Sequence, residues 1–77
     1  MEVNVLFFGQ LKDISGNDNL VIHDIDDTDS LVNVLKQKFP GLTRRTFVVA
    51  VGNEIIQDNT LLQPNATVAL MPAFSGG

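Results

Sequence analysis

At 77 residues the chain is one small domain, which buries about 60–65% of its unfolded surface and leaves no room for a large internal active site. Five Lys and Arg against nine Asp and Glu give a net charge of −4, which excludes nucleic-acid backbones and anionic membranes as partners and makes a basic protein surface the natural complement. With no cysteine the chain makes no disulfide, thiolate metal site or persulfide, so any sulfur it handles comes from outside. The start, Met1-Glu2, has no basic leader, and no apolar run approaches the roughly 20 residues needed to cross a bilayer. A cytoplasmic location is expected.

Val3, Val5 and Phe7 alternate with Asn4, Leu6 and Phe8, the pattern of a strand with two faces. Asn4 marks its own face as the wetter one, which leaves Leu6 and Phe8 as apolar side chains on an exposed or partner-covered surface. Residues 9–19 are dense in turn formers (Gly9, Asp13, Ser15, Gly16, Asn17, Asp18), with Leu11 and Ile14 suited to one helical turn. A second strand follows over residues 20–25, whose core face the sequence does not decide. His23, the only histidine, has no neighbouring catalytic partner and reads as structural.

Asp24, Asp26, Asp27 and Asp29 suggest a cation loop. A calcium loop beginning at Asp24 needs glycine where Asp29 stands and a bidentate glutamate where Leu35 stands, so no metal site is expected. The cluster instead starts a helix, with Thr28 or Asp29 as cap and carboxylates opposing the macrodipole. Leu31, Val34, Leu35 and Phe39 form its apolar stripe and Pro40-Gly41 its end. Arg44 and Arg45 make the only adjacent basic pair. Phe47 to Val51, a Gly52-Asn53 turn, and Glu54 to Gln57 read as a hairpin, and residues 67–71 as the last strand.

The order strand, strand, helix, strand, short strand, strand, with one main helix, predicts an α+β fold. The first and last strands are the most apolar and form the expected central pair. The result is a β-grasp, or ubiquitin-like, mixed sheet packed on one helix. Residues 1–72 make the domain and residues 73–77 a free tail, because Pro72 lacks the N–H that continued pairing needs. Gly76 and Gly77 fit a channel only as wide as a backbone, so the terminal carboxylate is the expected reactive group.

Two stretches carry a family resemblance: residues 5–12, Val5-Leu6-Phe7-Phe8-Gly9-Gln10-Leu11-Lys12, and residues 68–77, ending Leu70-Met71-Pro72-Ala73-Phe74-Ser75-Gly76-Gly77. Together they resemble the small subunit of molybdopterin synthase, the MoaD family of sulfur carriers, and residues 49–53 add to the likeness. The resemblance implies that Gly77 is adenylated by an E1-like activating enzyme and converted to a thiocarboxylate. ATP is used by that partner, and no cofactor is bound by the carrier. The large synthase subunit then receives Pro72, Ala73, Phe74, Ser75 and Gly76 with the terminal glycine, and sulfur passes to a pterin precursor to build the dithiolene of molybdopterin. Two carriers on a dimer of large subunits are implied, with Phe8, Ile55 and Met71 at the apolar interface. Phe74 stands where the family usually has a second proline or small residue, and Asn65-Ala66-Thr67 replaces a commonly acidic turn. Three other readings stay open: a carrier for thiamine or another thiolated product, a ubiquitin-like protein modifier, and a binding module that docks through Leu6 and Phe8.

Overall fold

The computed structural model describes residues 1–73. Five strands, β1 (Glu2–Phe7), β2 (Asn19–His23), β3 (Phe47–Val51), β4 (Glu54–Ile56) and β5 (Ala66–Pro72), form one sheet in the order β2-β1-β5-β3-β4. β1 and β5 are adjacent and parallel, and every other pair is antiparallel. This is the expected mixed sheet with the first and last strands side by side.

The alternation in β1 decides which way the sheet faces. Val3, Val5 and Phe7 are buried, and across the parallel register Val5 meets Val68 and Phe7 meets Leu70, both also buried. These side chains pack under α2 (Thr28–Lys38), whose Leu31 and Leu35 are fully buried. Phe39 sets its ring edge-on to Phe7, 6.0 Å between centroids, a geometry favoured by the ring quadrupoles. β2 contributes Ile22 to the same core, and Ile25 joins it from beyond the strand.

Several local expectations are corrected. The cap of α2 is Asp27, whose Oδ2 accepts the Ser30 N–H at 3.3 Å, one residue before Thr28 and two before Asp29, the expected caps. Thr28 is instead a buried link: its hydroxyl donates to Asn59 Oδ1 and accepts the Thr60 N–H. Asp27 takes the cap because its backbone is extended (φ −150°), whereas Thr28 is already helical. β2 stops at His23 because Asp24 turns the chain at φ 63°. β4 ends at Ile56, one residue short of Gln57. Residues 9–19 hold a six-residue helix, α1 (Gln10–Ser15), and Pro40–Arg44 coil as a 3₁₀ turn. Gly52 and Asn53 both have positive φ, 56° and 72°, the backbone of a tight hairpin turn.

The last strand ends at Pro72, and the difference from a free tail lies one residue later. Pro72 lies opposite Phe47, and the next residue, Ala73, donates its N–H to the Thr46 carbonyl at 3.2 Å. A proline at a strand end forfeits only its own N–H, so the neighbouring strand still holds the chain one residue further on. The sheet therefore grips Ala73. Phe74, Ser75, Gly76 and Gly77 lie outside the described residues.

Candidate functional site

The helix covers one face of the sheet. The other is built from the alternate residues of the same strands, and register places them in rows. Leu6 of β1 lies opposite Ala69 of β5, Ala69 opposite Ala50 of β3, and Ala50 opposite Ile55 of β4. One row thus crosses four strands and is apolar throughout. Beside it, Met71 lies opposite Val48, and Phe8 follows the end of β1, held by its N–H to the Leu70 carbonyl at 3.1 Å.

The two alanines make this row a trough. Their side chains end at Cβ, so Ala50 and Ala69 form a floor while Leu6, Phe8, Met71 and Ile55 rise around it. The depression has a volume of about 600 Å³ and is closed at one end by Gly52, Asn53 and Thr67. Phe8 is 46% exposed and Ile55 62% exposed. Large apolar side chains gathered at this exposure mark an interaction surface rather than scattered surface residues.

Phe8, Ile55 and Met71 come from the end of β1, from β4 and from β5, and the fold brings all three into this one depression. Leu6, read as exposed from the alternation with Asn4, lies there too. Ala50 and Ala69 were missed. Alternation within the last strand already put Ala69 on the face of Met71, but nothing in the sequence showed that β3 and β5 stack their alanines.

The trough leads to the tail. Met71 is both part of the trough and two residues before Ala73, so whatever covers it stands at the root of residues 74–77. On the other side of that root is a second, smaller notch of about 250 Å³ lined by Gln10, Leu11, Arg44, Arg45, Thr46, Pro72 and Ala73. Arg45 Nη1 donates to Gln10 Oε1 at 3.0 Å. The basic pair, remote from the tail in sequence, is beside it in space.

The remaining candidates lie elsewhere. His23 is exposed beside Glu2, Nδ1 to Oε2 3.4 Å, at the far end of β1. The acidic residues around Asp24 serve the start of α2, where hydrogen bonding from Ser30, chiefly its side chain, holds the Asp27 carboxyl below the ordinary carboxylate range. Among the described residues no group of three His, Asp or Glu gathers that could hold a metal ion. Gly77 and Gly76, with Phe74 and Ser75, are outside the described residues; Pro72 and Ala73 are the part of the expected tail that is placed. No helix among the described residues is long and apolar enough to cross a membrane.

The comparisons with known proteins agree with this arrangement. The sequence matches the ThiS family over residues 5–77. It is 28% identical over 81 residues to the molybdopterin synthase sulfur carrier subunit of Arabidopsis thaliana, covering 100% of this chain and 84% of that protein. Among solved structures, it resembles a chain in the complex of subunits 1 and 2 of molybdopterin-converting factor from Helicobacter pylori, with 29% identity, TM-score 0.76 and 100% coverage of both chains. It also shares its fold with the small archaeal modifier protein 1 of Methanosarcina acetivorans, at TM-score 0.83 and 20% identity, covering 99% of this chain and 96% of the other. The sheet, the main helix packed on it and a family match that runs from β1 through the diglycine place the chain in the ThiS family, as a ubiquitin-like carrier of the MoaD type.

Proposed function

We propose that the chain is the sulfur carrier subunit of a molybdopterin synthase, with the Gly77 carboxylate as the group that carries sulfur. An activating enzyme of the E1 type joins that carboxylate to the AMP moiety of ATP and releases pyrophosphate. Sulfide then attacks the acyl carbon and expels AMP with loss of a proton, leaving a thiocarboxylate. The thiocarboxylate sulfur is transferred to the pterin precursor in the large subunit, and hydrolysis of the acyl end returns the carboxylate for another round. Two such transfers supply the two dithiolene sulfurs. The carrier contributes no acid, base or metal to these steps, which belong to the partners.

The observation that carries this reading is the trough of Leu6, Phe8, Ala69, Met71 and Ile55, continuous through β5 with the root of the tail. A subunit seated on it necessarily stands where the tail leaves. The trough is the proposed seat of the large subunit, in a complex of two carriers on a large-subunit dimer, working in the cytoplasm. The Helicobacter pylori likeness supports a large-subunit partner, because that structure is a complex of subunit 1 with subunit 2.

The test is assembly. Mixed with a molybdopterin synthase large subunit, the wild-type chain is expected to co-elute in size-exclusion chromatography, and Ala69→Arg, which fills the floor with a charge, is expected to elute alone. Co-elution of both would show that the large subunit sits elsewhere. Elution of the wild type alone, together with attachment of the chain to lysines of other proteins, would move the function to a protein modifier.

A further inference from the structure

The net charge hides a division between the two ends of the sheet. β1 and β5 run parallel and finish at the same end, where β3 begins with Phe47 opposite Pro72. α2 finishes there as well, since Phe39 meets Phe7 and the Lys36 Nζ stands 5.9 Å from the centroid of the Phe47 ring. Arg44 and Arg45 line the notch at Pro72 and Ala73, Lys36 and Lys38 stand in the last turn of α2 at the same end of the sheet, and Lys12, on the helix that follows β1, completes the chain's five cations. Of the nine carboxylates only Asp13 and Asp18 share that end, and Asp18 is paired with Lys12 at 3.2 Å.

The other carboxylates lie away from it. Glu2 begins β1, Asp24 and Asp26 precede α2, and Asp27 and Asp29 lie at its N-terminus. Glu54 is opposite Val51, which is opposite Val68 near the start of β5. Asp58 adjoins Asn59, whose side chain accepts the Asp29 N–H at 2.9 Å. Among the described residues no carboxylate is within ion-pair distance of Arg44 or Arg45, and Arg45 meets only the neutral Gln10. A chain of net charge −4 thus presents a positive collar at the end where Pro72 and Ala73 lie. The basic complement expected from net charge alone is reversed at this end.

We propose that this collar docks on an acidic rim around the tail channel of the activating enzyme, an inference that rests on the carrier function proposed above. Reach requires contact at the root. Residues 74–77, fully extended, span at most about 14 Å, so a protein that reacts with Gly77 must cover the ground around Ala73. Charge suits the activating enzyme rather than the large subunit. Complementary charges speed encounter more than they prolong it, which fits an enzyme that must release its product, and the large subunit already has the apolar trough as its proposed seat.

The experiment is ATP–pyrophosphate exchange by the activating enzyme, with kcat/KM for the carrier measured from low to high salt. Arg44→Gln with Arg45→Gln is compared with Gln63→Glu with Asn65→Asp, which makes the same change in net charge at the far end of the sheet. Lys38→Gln samples the collar without touching the Arg45–Gln10 bond. The arginine variant is expected to lose about tenfold in kcat/KM at low salt, the size of effect that steering supplies. It should approach wild type near 0.5 M salt, where screening acts within a few ångströms. Lys38→Gln should follow with a smaller loss and the far-end pair should stay near wild type. Equal losses in the collar and far-end variants, or a loss that ignores salt, would overturn the collar while leaving the carrier function standing. No exchange with the wild-type chain would overturn both.

Discussion

Pro72 fits against Gly9 because Gly9 has no side chain: a Cβ built there would stand 2.8 Å from the Pro72 Cγ. Gly9 also has φ +57° with ψ −136°, a conformation essentially confined to glycine. This contact ties the last paired residue of β5 to the turn that follows β1. Gly16 offers a comparison without the contact, left-handed at φ +72° and ψ 15° with nothing within 4 Å of its added Cβ. Gly9→Ala is expected to lower stability more than Gly16→Ala, and the part of the excess that comes from the clash should be recovered when Pro72→Ala removes the Cγ. Chemical denaturation of the two single variants and the double-mutant cycle checks this; equal losses would show that Pro72 yields without cost.

The trough predicts a separation of binding from folding. Phe8 and Ile55 are exposed, so their truncation to alanine should change stability by no more than about 0.5 kcal/mol. Phe8→Ala should nonetheless weaken binding to the large subunit by about 30-fold, the level of an aromatic anchor, and Ile55→Ala by less. Calorimetric titration and thermal melts on the same samples read the two effects.

The core predicts the opposite. Leu31 and Leu35 are at 0% exposure on the helix face that meets the sheet. Either leucine replaced by alanine should cost about 2–5 kcal/mol, a large share of the stability of a domain this size. The midpoint of urea unfolding measures it, and a loss below about 1 kcal/mol would contradict the packing described here.

Acid should loosen the start of α2. Hydrogen bonding from the Ser30 side chain, then from the Ser30, Asn59 and Asp29 groups, outweighs desolvation and lowers the Asp27 pKa in the folded chain. A folded pKa below the unfolded one means a contribution that is whole above the unfolded carboxylate value, about 4, and is lost as pH falls through the folded value. Asp27→Asn keeps a capping oxygen without the titration. Melting temperature followed downward from pH 5 should fall less steeply for this variant than for wild type.

Much of this was legible in the residues, for reasons that can be named. Alternation in β1 assigned Phe7 to the core and Phe8 to the outer face because a strand has a period of two and Asn4 broke the symmetry. The stripe from Leu31 to Phe39 found the helix because its period is 3.6. What the sequence could not reveal depends on pairing at long range. Ala50 and Ala69 become a floor only when β3 lies antiparallel to β5 in this register. Arg45 reaches Gln10, 35 positions away, only after α2 carries the chain back to the tail end. The cap was misplaced by one or two residues because Asp27, Thr28 and Asp29 are all competent, and the loop bearing Asn59 and Thr60 engages Thr28 first.

The central claim is that Gly77 carries sulfur, and the intact mass of the chain tests it most directly. After incubation with an E1-type activating enzyme, ATP and a sulfide source, the mass is expected to rise by the difference between sulfur and oxygen, with no rise when Gly77 is deleted. An unchanged mass under conditions where the same enzyme loads another carrier of this family would contradict the account.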